Sequence, residues 1–201
     1  MPMLLLGATA VAHSPYDAGV RQVAQLSSRL AYLFSCLTVV WGVFAATGWV
    51  GRLSGRPAVR GAHLVLATFT IAFGVLHAAA FLLLTDADER FGPLLLTVPM
   101  AGGGTVRWAA GIVGLELLIA IAVTAGLRNR VAGYRRWLRF HQLGYVAVGL
   151  VVAHSWLGAS ANGHLDVLWL AGLTVLAPAV LVCVLRFVPS RVLASAGLIG
   201  G

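Results

Sequence analysis

Two apolar runs that each carry two histidines constrain this chain more than any other feature. The first, GAHLVLATFTIAFGVLHAAAFLLL, covers residues 61–84, contains no charged residue and places His63 and His77 fourteen positions apart. The second, FHQLGYVAVGLVVAHSWLGAS, covers residues 140–160 and places His141 and His154 thirteen apart. Runs of this length cross a hydrocarbon core about 30 Å thick as helices. Histidines at two depths in two such helices call for something that binds between them.

The rest of the composition agrees with a membrane location. Sixty per cent of the 201 residues are hydrophobic, 10% are charged, and the mean hydropathy is +0.92. This is far outside the soluble globular range. Five spans are predicted, at about 30–50, 61–84, 108–127, 140–159 and 167–187, with Pro178 kinking the fifth. The Ser27-Ser28 pair is placed as the cap of the first. Residues 1–29 then form a non-spanning extracytoplasmic segment, 30–187 the membrane domain and 188–201 a short cytoplasmic tail. The opening MPMLLLGATAVAHSP has small and apolar residues but lacks the charged start of a secretion signal. Between the second and third spans, an apolar stretch broken by Pro93 and Pro99 is too short to cross and is placed on the membrane surface as a lid.

The net charge of +8 does not point to nucleic acid, because the arginines sit in short loops between apolar runs. There they read as topology signals and contacts to lipid headgroups. One side of the membrane collects Arg52, Arg56, Arg60, Arg128, Arg130, Arg135, Arg136, Arg139, Arg186 and Arg191 with no acid. The other mixes Arg21, Arg29, Arg90 and Arg107 with Asp17, Asp86, Asp88, Glu89 and Asp166. The positive-inside rule makes the all-arginine side cytoplasmic, the N-terminus outer and the C-terminus inner, in a multi-pass protein of the inner or plasma membrane.

With this topology the second and fourth spans run in the same direction. His63 and His141 lie near the cytoplasmic end, and His77 and His154 near the outer one. The helical rise separates the two levels by about 20 Å. One histidine from each helix at each depth can clamp an iron, and an iron porphyrin accepts two neutral imidazoles as axial ligands. Two b-type haems would then form an electron path through most of the bilayer. Rotation is the difficulty: fourteen residues miss whole turns by about 40°, but thirteen miss by about 140°. Tilt, side-chain reach or a distortion near Gly144 or Gly149 must absorb that difference.

The paired spacings H-x13-H and H-x12-H two helices apart resemble the ferric reductase-like transmembrane domain. That superfamily includes NADPH oxidases, yeast-type ferric reductases and the membrane subunit of a bacterial periplasmic methionine sulfoxide reductase system. The resemblance spans roughly residues 30–187. It implies that His63 with His141 holds the cytoplasmic-side haem and His77 with His154 the outer one. It also implies an oxidoreductase component that moves electrons to an extracytoplasmic reductase partner or ferric iron. Two departures stand out: six spans are usual in the family, and its larger members continue into an FAD and NADPH domain. Here there is no GxGxxG after a strand and no FAD or NAD(P) site, so a cytoplasmic flavoprotein or a membrane quinol is expected as donor. The oxidases carry another histidine one turn beyond the outer ligand; here that position is Phe81.

Other residues have blander readings. Arg60, Arg136 and Arg139 are candidates to meet inner propionates and Arg107 outer ones, although lipid phosphates explain most of them equally. Cys36 and Cys183 read as packing residues, and His13 and His164 as solvated ones. Glu116, inside the third span, is a candidate proton carrier or a neutral structural acid. Phe69 and Phe73 fall between the two histidine levels and read first as aromatic core. Ser160 and His164 invite comparison with an intramembrane hydrolase, but no GxSG motif accompanies them. The competing class is a transporter or assembly subunit without cofactor, its histidines used for packing or ions.

Overall fold

The computed structural model describes residues 14–47, 55–101, 105–131 and 134–163, with scattered positions beyond that include 188–195. Among the described residues the chain is all-helical. Its elements are α1 (Pro15–Thr47), α2 (Arg56–Ala80), the short α3 (Pro93–Thr97), α4 (Val106–Val131), α5 (Tyr134–Ala161) and α6 (Ser190–Ser195). Four of them, α1, α2, α4 and α5, are long and apolar enough to cross a membrane. In lipid no water can satisfy a free peptide group, so an apolar run closes its hydrogen bonds within a helix. The expected fifth span, 167–187, lies outside the continuously described residues, as do His13, Arg52, His164 and Cys183.

The first helix begins half its length earlier than the sequence suggested. Ser27 and Ser28 do not cap it. They sit inside α1 and turn back on it, the Ser27 hydroxyl reaching the Val23 and Ala24 carbonyls at 2.6 and 3.1 Å and Ser28 that of Gln25 at 2.8 Å. Where no water competes, a serine hydroxyl can bond the preceding turn without ending the helix. The cap is Ser14, whose Oγ accepts the Asp17 N–H at 3.1 Å, with Pro15 pre-set in the first turn. Residues 15–29 are therefore helical and continuous with the helix of the first span. The second arginine loop is also shorter than expected: α5 starts at Tyr134, so Arg135, Arg136 and Arg139 lie on helix.

Packing divides the bundle into two hairpins. α1 lies along α2 and α4 along α5, while α1 touches α5 and α2 touches α4 more lightly. α2 and α5, which carry the histidines, face each other across the bundle and their backbones scarcely approach. In the first hairpin, side chains make the contact. Trp41 Nε1 donates to the Val59 carbonyl at 2.8 Å, Thr38 and Thr70 share a hydrogen bond at 3.2 Å, and Phe34 stacks on Phe69 and Phe73 at 5.1 and 5.7 Å. In the second, glycine lets the backbones close in: a Cβ on Gly114 would stand 3.2 Å from the Ala147 carbonyl oxygen.

The segment joining α2 to α4 folds over one end of the bundle. Asp17, buried at the start of α1, accepts from the Thr85 N–H at 2.8 Å and the Thr85 hydroxyl at 2.7 Å. Arg21 donates to Glu89 at 2.7 Å. Phe91 stacks on Phe81 at 5.1 Å and meets Trp108 at 4.7 Å. α3 has only five residues, so this stretch caps the bundle without crossing the membrane.

Candidate functional site: two histidine pairs

The gap between α2 and α5 is bridged at two levels by imidazole rings. His63 and His141 have ring centres 5.9 Å apart with planes at 69°; His77 and His154 have centres 6.2 Å apart with planes at 66°. The first pair lies at the end where Arg56, Arg60, Arg135, Arg136 and Arg139 are exposed, and is called here the arginine-side pair. The second lies beneath the 81–101 segment and is called the lid-side pair.

The surroundings of the lid-side pair dictate its chemistry. His77 Nδ1 stands 2.9 Å from the Ala24 carbonyl of α1, and His154 Nδ1 stands 2.8 Å from the Arg107 carbonyl of α4. A carbonyl can only accept, so in each ring Nδ1 carries the hydrogen and Nε2 keeps its lone pair. Neutral imidazole in this tautomer is the form that ligates metals, with its second nitrogen anchored elsewhere. His77 also meets the edge of Phe81 at 5.2 Å, which joins it to the Phe81, Phe91 and Trp108 stack of the lid.

The arginine-side pair is held differently. His141 stacks on Trp137, one turn earlier on α5, at 5.0 Å. His63 packs against α1 where Gly42 leaves room: a Cβ there would come within 3.2 Å of His63 Cε1. Neither Nδ1 of this pair has a hydrogen-bond partner among the described residues.

The thirteen-residue spacing on α5 is accommodated by reach and by an opening in the neighbouring helix. The His154 ring lies over Gly111 of α4, where a Cβ would sit 2.7 Å from Nδ1. α5 itself runs unbroken from Tyr134 to Ala161, so no break at Gly144 or Gly149 is involved.

The donor set fits an iron held by two imidazoles. Imidazole–metal bonds of about 2 Å, with each ring centre set further back, leave about 6 Å between two ring centres that share one metal. Both pairs stand at that separation. Among the described residues no group of three or more His, Cys, Asp or Glu gathers as it would around a bare cation. Arg60, Arg136 and Arg139 are exposed, while Arg107 is half-buried with its guanidinium 5.9 Å from the Trp108 ring centre. Glu116 is exposed on α4, and Phe69 and Phe73 pack on Phe34.

Sequence reasoning missed Ala24, Gly42, Gly111 and Trp137. A small-xx-small pattern at Gly111 and Gly114, and Trp137 four residues before His141, were the available signals. Nothing local marks the Ala24 carbonyl.

Comparison with protein families decides the relationship. The family described as ferric reductase like transmembrane component matches residues 25–152, more than half of the chain. The chain belongs to this family. It is accordingly a multi-pass membrane protein, in a family that points to transmembrane electron transfer and is often associated with haem. The match to the ferric reductase-like component includes His63, His77 and His141 and ends two residues before His154. No curated protein and no solved structure matches the chain.

Proposed function

We propose that this ferric reductase-like component carries electrons across the membrane through two b-type haems, one at each histidine pair. The observation that carries the reading is the repetition of one ring-to-ring separation at two levels between the same two helices, 5.9 and 6.2 Å. When bound, haem supplies a one-electron centre that changes redox state with little rearrangement.

The residues have distinct tasks under this reading. His63 and His141 bind at the cytoplasmic side, His77 and His154 at the outer side, with the all-arginine face turned inward. The Ala24 and Arg107 carbonyls fix the tautomer of the outer ligands, so that Nε2 of each would keep its lone pair for the iron. Phe81, Phe91 and Trp108 cover the outer site and keep water from it. Arg60, Arg136 and Arg139 inside and Arg107 outside offer guanidinium forks to propionate carboxylates. A reduced flavoprotein or a quinol on the cytoplasmic side is oxidised, its electrons leave singly, and an outer acceptor, either a reductase partner or ferric iron, is reduced.

The test is a reduced-minus-oxidised absorption spectrum of the purified protein, made with ample haem, with a pyridine haemochrome titration. About two b-type haems per chain are expected. Absence of haem would overturn the reading and favour a membrane protein whose histidines serve packing.

A further inference from the structure

The two pairs differ in what holds the far side of each ring, and that difference has an electronic consequence. Both lid-side rings donate Nδ1–H to a helix carbonyl, at 2.9 and 2.8 Å, from two different neighbouring helices. Neither arginine-side ring does so among the described residues. A hydrogen bond from Nδ1–H pushes electron density onto the ring and makes Nε2 the stronger donor to a metal. A stronger donor favours the oxidised, more positive iron and lowers the potential of the centre.

The same geometry identifies what permits the His154 bond. The ring reaches the Arg107 carbonyl by crossing the α4 backbone at Gly111, where a Cβ would stand 2.7 Å from Nδ1 and 2.9 Å from Cε1 and Cγ. Real side chains do not approach that closely, so alanine there displaces the ring and breaks the hydrogen bond. Gly114, one turn along the same seam, is also tight: a Cβ there would stand 3.1 Å from Val151 and 3.2 Å from the Ala147 carbonyl oxygen, with no histidine among its nearest neighbours. It tests packing alone.

We propose that the lid-side centre is held at the lower potential of the two by its pair of Nδ1–H to carbonyl hydrogen bonds, and that Gly111 is the positioning residue that lets His154 make one of them. This rests on the proposed haem ligation and adds the ranking of the two sites and the residue that sets it.

The experiment is a potentiometric titration followed by optical absorption on the haem-loaded full chain, in wild type and in four variants. His63→Ala retains the lid-side centre alone and His77→Ala the arginine-side centre alone, which assigns the two components. The lid-side component is expected at the lower potential. Gly111→Ala is expected to raise that component, or release its haem, while the other stays in place; Gly114→Ala is expected to move neither. A lid-side potential equal to or above the other overturns the ranking. A Gly111→Ala protein whose lid-side component is unmoved, or moves no more than in Gly114→Ala, overturns the positioning role. If no variant and no wild-type protein binds haem, the proposed function itself fails, an outcome distinct from either.

Discussion

The two hairpins solve the same packing problem by different means. α1 and α2 are tied by side chains: an indole on a carbonyl, two threonine hydroxyls together and three stacked phenylalanines. α4 and α5 are brought together by missing side chains, with Gly111 and Gly114 letting α5 lie close. Lipid tails are as apolar as leucine, so burial alone does not drive helices together, and close packing and interhelical hydrogen bonds do. The difference also tracks the histidines. The fourteen-residue spacing on α2 keeps both of its rings on one face, and the closest approach to a neighbour is milder there, a Cβ on Gly42 standing 3.2 Å from His63 Cε1. The thirteen-residue spacing on α5 sends His154 across α4, and glycine is the residue that admits it.

The predictions that test this contrast begin with the ligands. Under the proposed function, His154→Ala and His63→Ala should each remove one of the two centres, about half of the haem, as read by pyridine haemochrome. Retention of full haem in both would refute the ligand assignment. The glycine seam comes next. Gly114→Leu forces side-chain atoms into a contact already at van der Waals limits and is expected to destabilise the bundle by about 1–3 kcal/mol. Thermal unfolding in detergent measures it, and no change would mean the hairpin is looser than drawn. Thr38→Val removes the hydrogen bond to Thr70 and should cost less, about 0.6 kcal/mol. If its effect matched that of Gly114→Leu, the two hairpins would not differ in kind. The smallest effect is expected at the lid. The Arg21 and Glu89 side chains are 25% and 41% exposed, so Glu89→Gln should cost no more than about 1 kcal/mol. Hydrogen exchange of the 85–92 backbone would report a faster-opening lid.

Much of the architecture was legible because membrane insertion is a strong local constraint. An apolar run of some twenty residues has few alternatives to a helix, and α2, α4 and α5 stand close to where the apolar runs predict them. Errors fell where a local signal carries two meanings. Ser27-Ser28 looks like a cap in water, yet inside α1 both hydroxyls bond the preceding turn. Tyr134 to Arg139 looks like loop because it is charged, yet α5 already begins at Tyr134.

The sequence by itself determined that this is a multi-pass helical membrane protein and that four histidines lie at two depths in two helices of like direction. Those facts follow from hydropathy, loop charge and helical rise, all of which act along the chain. Only the tertiary structure decided which neighbours meet the rings. Ala24 and Arg107 are 53 and 47 positions from the histidines they receive. A backbone carbonyl is common to every residue, so no pattern of residue types foretells which one a distant ring will find.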